Sequence, residues 1–283
     1  MSHNNHIQDG TNKDQKYKNI YLDLLKGWED PYPDPVIKTY ENVRVVRDDL
    51  LVGTKCRGAD ALLSQVKEDT IVYVQPRVGL AGVSIIDVAK RHNKNVILFM
   101  PSSKKISEHQ ACCIERGAKP IFHRIAAMPN LNRIAKKYAE DHGHYFVPLG
   151  LNHKLVVCGM IKVAKKIKEP DIVYTAISTG VLSRSLQLAW PNSEFISVAV
   201  ARNLKEGELG RSSVISEPLP FQTSESKNNM PPFPSVDSYD AKVWKYIPKN
   251  TNKDILFWNV GTEPVLQNKN LYKNINSYRD WNE

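Results

Sequence analysis

The chain has 283 residues, of which 41% are hydrophobic and 24% charged, and its formal net charge is +9. This composition predicts a folded protein with a packed core, arranged as one large domain or as two lobes. No apolar run approaches the ~20 residues of a transmembrane helix. Residues 1–18 are polar and lack a secretory signal, so we expect a disordered arm, no membrane partner and a cytoplasmic protein.

From residue 43 to residue 200, apolar runs typical of strands alternate with segments of helical spacing. The predicted strands are 43–46, 70–74, 95–100, 120–123, 145–148, 171–176 and 194–200, with a last buried strand at 254–260. The predicted helices are 83–92, 107–116, 131–142, 155–168 and 182–189. This alternation implies an α/β fold with parallel twisted sheets wrapped by helices, which bind ligands at the carboxyl ends of their strands.

Two later segments have a different composition. Residues 206–235 are rich in serine, proline, asparagine and glutamate, which favours a long loop or lid. Residues 267–283 form a polar tail with aromatic residues.

Neither the cysteines nor the histidines have the spacing of a metal site, and no metal is predicted. We expect the cysteines to be reduced thiols, and Cys56 to be a small buried residue. We expect the histidines to be surface or capping residues. The residues concerned are Cys56, Cys112, Cys113, Cys158, His109, His123, His142, His144 and His153.

Lys55 is the first candidate for a catalytic residue. It follows an apolar run, the carboxylates Asp48 and Asp49, and Gly53. A lysine just after a glycine turn can be held rigidly and partly desolvated, so it loses its proton more easily and can form a Schiff base with an aldehyde. The alternative is a solvated lysine in a lysine-rich chain. We expect the two carboxylates to orient the neighbouring arginines and to do no chemistry.

Two segments with glycines lie at predicted junctions between a strand and a helix. Residues 77–84 read Arg-Val-Gly-Leu-Ala-Gly-Val-Ser, and residues 175–182 read Thr-Ala-Ile-Ser-Thr-Gly-Val-Leu. Glycines in such a turn let backbone amides approach a ligand near a helix N-terminus, and hydroxyl groups add donors for a phosphate. Either turn alone is a weak signal, because every parallel α/β protein has several.

In their order and spacing these segments resemble the fold-type-II pyridoxal-phosphate enzymes. This group includes tryptophan synthase β, cysteine synthase, and D-cysteine desulfhydrase or aminocyclopropane-carboxylate deaminase. Arg-Asp-Asp-Leu followed by Gly-Thr-Lys-Cys-Arg, at 47–57, resembles the lysine motif of the desulfhydrase and deaminase branch. Residues 77–101 are similar to the cysteine synthase stretch from Thr-Ser-Gly-Asn-Thr-Gly to Met-Pro, and 235–242 to the element Asp-Pro-Val-Tyr-Thr-Gly-Lys.

The resemblance covers about residues 43–261 and implies a two-lobed fold of the tryptophan synthase β type. The catalytic unit would span 19–266, with a smaller lobe of about 80–150 inserted in the larger one. The implied cofactor is pyridoxal 5′-phosphate, and the implied partner is a second copy of the chain in a homodimer.

The resemblance also assigns the residues of the site. Lys55 falls on the Schiff-base lysine, and Asn259 lies on the last buried strand, where the family contacts the pyridine nitrogen. Tyr239 is expected to donate a proton or to lie beside the ring, with a packing tyrosine as the alternative. Arg77 is expected to hold a substrate carboxylate or a nucleic-acid phosphate, with a solvent-facing arginine as the alternative. The predicted cofactor-binding residues are Lys55, Gly79, Leu80, Ala81, Ser178, Thr179, Gly180, Val181 and Asn259.

The chain departs from the family pattern in both loops. Leu80 replaces the asparagine beside the 3′-oxygen of the cofactor, and Gly79 and Ala81 replace neighbouring serine or threonine residues. The phosphate loop keeps only one of its glycines, Gly180. Because the first loop also holds the substrate carboxylate in the family, these changes argue against recognition of an ordinary free amino acid. The positive net charge favours a large anionic substrate.

The resulting hypothesis is a pyridoxal-phosphate-dependent lyase that acts at the α-carbon of an amino acid. Its substrate would be an amino acid attached to a hypermodified thymidine in bacteriophage DNA, which the enzyme would decarboxylate in the host cytoplasm. One alternative is a deaminase or desulfhydrase that acts by β-elimination on a free small amino acid. The other is a non-catalytic binding protein with the same fold.

Overall fold

The computed structural model describes residues 18–103, 106–124, 127–201, 204 and 207–268. The chain divides into two units: Met1–Ala61 with Asn152–Thr262, and Leu62–Leu151 with Glu263–Glu283. Most of the predicted arm 1–18 and of the tail 267–283 lies outside the described residues. Residue 18 belongs to a helix, α1, which covers residues 18–23.

The first unit is built on a six-stranded sheet. In sheet order its strands are β1 (Ile37–Tyr40), β2 (Val43–Arg47), β10 (Ile255–Asn259), β7 (Ile172–Ile177), β8 (Glu194–Ala199) and β9 (Ser213–Ser216). β1 and β2 are antiparallel, and the remaining neighbours are parallel. Arg47 lies beside Asn259 in the register, so β2 and β10 end together at the carboxyl edge of the sheet.

The helices of the first unit pack closely because small residues face each other. They are α2 (Lys55–Leu63), which belongs to this unit up to Ala61, α6 (Lys154–Ala164) and α7 (Val181–Ala189). A Cβ at Gly58 would lie 2.6 Å from the side chain of Val156, and one at Gly159 would lie 2.7 Å from the Cβ of Ala61. Larger residues at these glycines would therefore push α2 and α6 apart.

The second unit contains a four-stranded sheet in which all strands are parallel. In sheet order the strands are β5 (Lys119–His123), β4 (Asn95–Pro101), β3 (Thr70–Val74) and β6 (Tyr145–Phe146). The helices are α3 (Ala81–Arg91), α4 (Glu108–Glu115) and α5 (Met128–Asp141). The core includes Val72, Phe99 and Leu131, which join β3, β4 and α5.

The predicted α/β architecture with parallel sheets and helices is confirmed, and each strand and helix predicted between 43 and 260 is present within a few residues. Two strands were missed. β1 has an exposed, mixed sequence typical of an edge strand, and β9 lies inside the segment predicted to be a long loop. β9 forms because it completes the backbone hydrogen bonds of the edge of β8, which the composition of 206–235 does not reveal.

All four cysteines are free, as predicted, and all four are buried, which was predicted only for Cys56. Burial raises the pKa of Cys56, which keeps its thiol protonated. Within the described ranges, no helix is long and apolar enough to cross a membrane. Those ranges also contain no group of three or more histidine, cysteine or acidic side chains that could hold a metal ion.

Candidate active site

Lys55 begins α2 on a backbone that three interactions hold in place. Gly53 has a φ of +102°, which favours glycine and turns the chain into the helix. The next residue, Thr54, donates its backbone N–H to the Val260 carbonyl at 2.7 Å. The Thr54 hydroxyl also accepts the indole N–H of Trp258 at 2.9 Å. The predicted rigid lysine after a glycine turn is therefore present at the carboxyl edge of the sheet of the first unit.

Lys55 shares this environment with Asp240, which the sequence analysis did not single out. Desolvation lowers the pKa of the half-buried Lys55 to about 8, although the negative charge of Asp240 acts in the opposite direction. Asp240 is fully buried, and burial raises its pKa well above the usual range. Its Oδ2 accepts the backbone N–H of Val260 at 3.0 Å. Its Oδ1 is buried and has no hydrogen-bond partner among the described residues.

Asp48 and Asp49 act as the sequence predicted. Asp48 pairs with Arg57 at 3.2 Å and accepts the hydroxyl of Thr54 at 2.8 Å. Asp49 binds Arg47 through both carboxylate oxygens at 2.7 Å. Each carboxylate orients one arginine, and both pairs are buried beside the start of α2.

The loop between β7 and α7 places three predicted cofactor-binding residues, Ser178, Thr179 and Gly180, ahead of Val181, the first residue of α7. Gly180 has a φ of +73°, and a Cβ there would lie 2.0 Å from the carbonyl oxygen of Glu208. Only glycine fits this position, because both its backbone angle and its contact exclude a side chain. Ser178 and Thr179 are half-buried.

Tyr239 is tied to the same loop. Its hydroxyl lies 3.3 Å from the Ser178 hydroxyl and 3.5 Å from the Ala176 carbonyl, and Phe221 packs edge-on against its ring. Burial raises the pKa of Tyr239, so its hydroxyl stays protonated at neutral pH. The hydrogen bond to Ser178 links two of the predicted site residues of this unit. Whether Tyr239 acts on a cofactor or only packs stays a prediction.

Asn259 ends β10, and its amide is already engaged. Its Nδ2 donates to Asp49 and to the Pro234 carbonyl, both at 2.9 Å, and its Oδ1 accepts the Ser235 hydroxyl at 2.8 Å. Both of its donor hydrogens are therefore used within the protein. The Oδ1 of Asp240, which has no partner among the described residues, is a better acceptor for a ring N–H than Asn259. The position of Asp240 next to the predicted Tyr239 was the sequence signal that could have identified Asp240.

In the second unit, buried side chains hold the other predicted loop, which is part of residues 77–84. Gln75, which is fully buried, donates from its Nε2 to the Gly79 carbonyl at 3.0 Å and accepts the Gly82 N–H at 2.9 Å. Leu80 is half-buried at the start of α3 and provides no side-chain cap. The Gly82 N–H near the helix N-terminus is satisfied by Gln75 instead.

His109 lies in this unit and contacts the same loop. Its Nδ1 accepts the Gly79 N–H at 3.3 Å, and its Nε2 lies 2.9 Å from the carboxylate of Glu263. The prediction of a surface or capping histidine is wrong for His109, which is buried, although it is confirmed for His153, which caps α6. The guanidinium of Arg77 contacts the Ser103 hydroxyl, so Arg77 is not simply solvent-facing.

The predicted site residues thus fall into two groups. In the first unit, the charge of Asp240, which was not predicted, acts on Lys55, and a hydrogen bond connects Tyr239 to Ser178 in the β7–α7 loop. Asn259 ends β10, one residue before Val260, whose backbone N–H donates to Asp240. Gly79, Leu80, Ala81 and Arg77 belong to the loop of the second unit. Their roles toward a cofactor stay predictions.

Comparison with solved structures identifies the fold. A homologue of ACC deaminase matches with a TM-score of 0.73 and 16% identity, over 85% of this chain and 94% of that one. Threonine deaminase isoform 2 from Solanum lycopersicum matches with a TM-score of 0.65 and 11% identity, over 92% of each chain. A pyridoxal 5′-phosphate-dependent aspartate racemase matches with a TM-score of 0.61 and 10% identity, over 89% of this chain and 95% of that one.

No family model matches the chain, and no curated protein matches its sequence. At these identities the structural matches concern the fold and do not extend to activity. The two-lobed α/β architecture predicted from the motifs, that of the fold-type-II pyridoxal-phosphate enzymes, is therefore confirmed as the fold of this chain.

Proposed function

We propose that this protein is a pyridoxal-phosphate-dependent enzyme that acts at the α-carbon of an amino acid, with Lys55 as the residue that holds the cofactor. The observation that carries the proposal is the pair of Lys55 and Asp240 at the carboxyl edge of the first sheet. Burial lowers the pKa of the Lys55 amine there, and the charge that acts on it is that of Asp240, a buried carboxyl group whose Oδ1 has no hydrogen-bond partner among the described residues. Perturbed ionisable groups of this kind are typical of active sites.

The residues of the first unit fit this cofactor. Asp240 Oδ1 has no hydrogen-bond donor in the part of the chain that the structure describes, and the protonated nitrogen of a pyridine ring would supply one. The hydroxyls of Ser178 and Thr179 and the first turn of α7 would hold the phosphate. Lys55 Nζ would bond to the aldehyde, because an amine whose pKa is about 8 is partly unprotonated at neutral pH.

The cofactor, when bound, would accept electrons from the α-carbon of the substrate. The protein would move the protons. Lys55 Nζ can take up or release a proton near neutral pH, because its pKa is about 8. Tyr239 keeps its proton and can donate it, while its contact with Ser178 fixes the phosphate-binding loop.

The first experiment asks whether Lys55 carries the cofactor. The purified protein is incubated with pyridoxal 5′-phosphate, its near-ultraviolet and visible absorbance is recorded, and borohydride reduction is followed by peptide mass spectrometry. We expect a new band and a label on Lys55. Lys55→Ala should lose both the label and all activity that depends on the cofactor.

Lys154→Ala is the matched control, because Lys154 also occupies the first position of a helix in the first unit. This variant should keep the band and the label on Lys55. If the wild type shows no band, or if Lys55→Ala keeps its band, both enzymatic hypotheses are wrong and a non-catalytic binding protein is favoured.

For the substrate we propose an amino acid attached to a hypermodified thymidine in bacteriophage DNA, and decarboxylation as the reaction. Two features support this choice. Leu80 stands where the family has an asparagine in the loop that holds a free carboxylate, and the chain carries a net charge of +9. A carboxylate that leaves as carbon dioxide does not need strong hydrogen bonds from this loop. The positive net charge of the chain favours binding to DNA.

This substrate proposal predicts carbon dioxide release from aminoacyl-modified DNA and none from free amino acids. DNA affinity should fall as salt concentration rises. Turnover of free D-cysteine or serine at ordinary enzyme rates would contradict it.

The second candidate is β-elimination on a free small amino acid. The deaminases among the structures of similar fold favour this candidate. It predicts ammonia, with sulfide or a 2-oxo acid, from the free amino acid, and no salt-dependent affinity for DNA.

A further inference from the structure

We infer that His109, oriented by Glu263, is a positioning residue that holds the Gly79 peptide of the loop 77–82 in the geometry needed to bind pyridoxal 5′-phosphate. This inference rests on the proposed function, since the loop is the one predicted to meet the cofactor. It concerns residues to which neither the sequence motifs nor the comparisons gave a role.

The Gly79 peptide is held at both of its polar ends by buried side chains. Its N–H is bound by His109 Nδ1 at 3.3 Å, and its carbonyl by Gln75 Nε2 at 3.0 Å. Gly79 has a φ of +141°, a conformation that residues with a side chain rarely adopt. The side chains of two other residues therefore impose an unusual backbone conformation on the loop at this glycine.

Glu263 determines which nitrogen of His109 carries the hydrogen. Since the Gly79 N–H is a donor, Nδ1 of His109 has to accept and must be unprotonated. The hydrogen is then on Nε2, which lies 2.9 Å from the Glu263 carboxylate and donates to it. A carboxylate that fixes the tautomer of a histidine in this way also fixes the orientation of its ring.

Glu263 is itself part of a segment that is fixed at its far end. The backbone N–H groups of Gln267 and Asn268 both donate to the carboxylate of Glu115, at the end of α4. His109 lies at the start of the same helix. The segment 263–268 is thus attached to both ends of α4, which keeps the Glu263 carboxylate within reach of His109.

The arrangement has a direct consequence for binding. A loop whose glycine peptide is already oriented loses less conformational entropy when a ligand binds than a loop that must first be ordered. The open side of Gly79 supports this role, because a Cβ built there would meet, among the described residues, only Pro76, at 3.7 Å. A ligand can therefore approach the loop closely at Gly79.

The test uses His109→Phe, His109→Asn and His109→Gln in the full-length protein. Phenylalanine removes the acceptor, asparagine places an amide oxygen near the position of Nδ1, and glutamine keeps a partner for Glu263 but leaves the Gly79 N–H free. Hydrogen exchange of the Gly79 amide is followed by NMR, and pyridoxal 5′-phosphate affinity is measured by absorbance titration. His153→Phe is the matched control, because His153 Nδ1 also accepts a backbone N–H, from Leu155 at 3.2 Å.

We expect the Gly79 amide to exchange about tenfold faster in His109→Phe and His109→Gln, the factor expected for loss of one hydrogen bond. Pyridoxal 5′-phosphate should bind about fivefold more weakly to both variants. His109→Asn should restore both values, and the control should leave both unchanged. In Glu263→Ala, nitrogen-15 shifts of His109 should show a mixture of tautomers.

Equal exchange in all three His109 variants, or cofactor affinity that does not follow the exchange rates, would overturn the inference. If the wild type binds no pyridoxal 5′-phosphate, the proposed function fails and the positioning role toward the cofactor fails with it. The exchange data would still report whether His109 holds the Gly79 peptide, so the two failures can be told apart.

Discussion

Each unit of the molecule holds one loop by a buried glutamine, and the two loops are clamped in nearly the same way. Gln75 binds the Gly79 carbonyl and the Gly82 N–H in the second unit, while Gln187 binds the Leu209 carbonyl and the Arg211 N–H in the first. In each loop a glycine touches the glutamine. A Cβ would lie 2.4 Å from the amide oxygen of Gln75 at Gly82, and 2.2 Å from that of Gln187 at Gly210.

The loops differ in what they leave open. The loop held by Gln187 presses the Glu208 carbonyl against Gly180, so that glycine has no free space. The loop held by Gln75 leaves Gly79 uncovered and adds the His109 acceptor. A buried glutamine holds the loop in both units. In the first unit the loop covers Gly180, and in the second unit it leaves Gly79 accessible to a ligand on the side that the described residues do not cover.

The largest expected effect on stability tests the closed glycine. Gly180→Ala combines an unfavourable φ of +73° with a clash against the Glu208 carbonyl. We expect the free energy of unfolding to fall by about 3 kcal/mol or more, from left-handed strain and overpacking. Gly143→Ala is the control, because Gly143 has a φ of +64° and open space around its Cβ position.

The control should lose only the strain, about 1–2 kcal/mol, in denaturant unfolding. Equal losses in the two variants would show that Glu208 moves aside easily, and the difference between the two loops would then disappear.

The two clamps can be compared directly by replacing each glutamine with leucine. Each change leaves buried backbone groups unpaired, so each should lower the free energy of unfolding by about 1–3 kcal/mol. Both glutamines also make a third hydrogen bond, from Gln75 to the half-buried Pro76 carbonyl and from Gln187 to the buried Ser183 hydroxyl. Gln187→Leu should cost more, because the Ser183 hydroxyl that loses its partner lies in a buried group of hydroxyls with Ser197. Denaturant unfolding of both variants checks the order, and a larger loss in Gln75→Leu would reverse the comparison.

The smallest expected effect is a shift in pH dependence, and it belongs to the first unit alone. The rate at which pyridoxal 5′-phosphate attaches to Lys55 should rise with pH and level off above about pH 8, since only the unprotonated amine reacts. Asp240 raises the pKa of Lys55, so Asp240→Asn should move the midpoint to lower pH. Absorbance measured after mixing at a series of pH values tests this, and a midpoint at the ordinary lysine pKa would contradict it.

The sequence predicted most of the fold because most of the regular elements had a local signal. Apolar runs indicated the parallel strands, and helical spacing followed by Gly117 or Gly143 indicated the ends of α4 and α5. β9 had no such signal, because it is a short, mostly exposed strand in a segment of loop composition and forms only by pairing with β8. The site residues divide in the same way. The predicted ones lie in short motifs, whereas His109 lies in none and Asp240 had only its position next to Tyr239 as a signal.

By itself, the sequence determined the α/β class, the candidate lysine and the two glycine loops, because these depend on residue type and short spacing. The tertiary structure decided which groups surround them. The charge of Asp240 acts on Lys55, 185 positions away in the chain, and His109 binds the Gly79 N–H from 30 positions away. Burial is the physical reason, since the pKa of an amine or the tautomer of a histidine depends on the charges and hydrogen bonds around it, and only the folded chain brings these together.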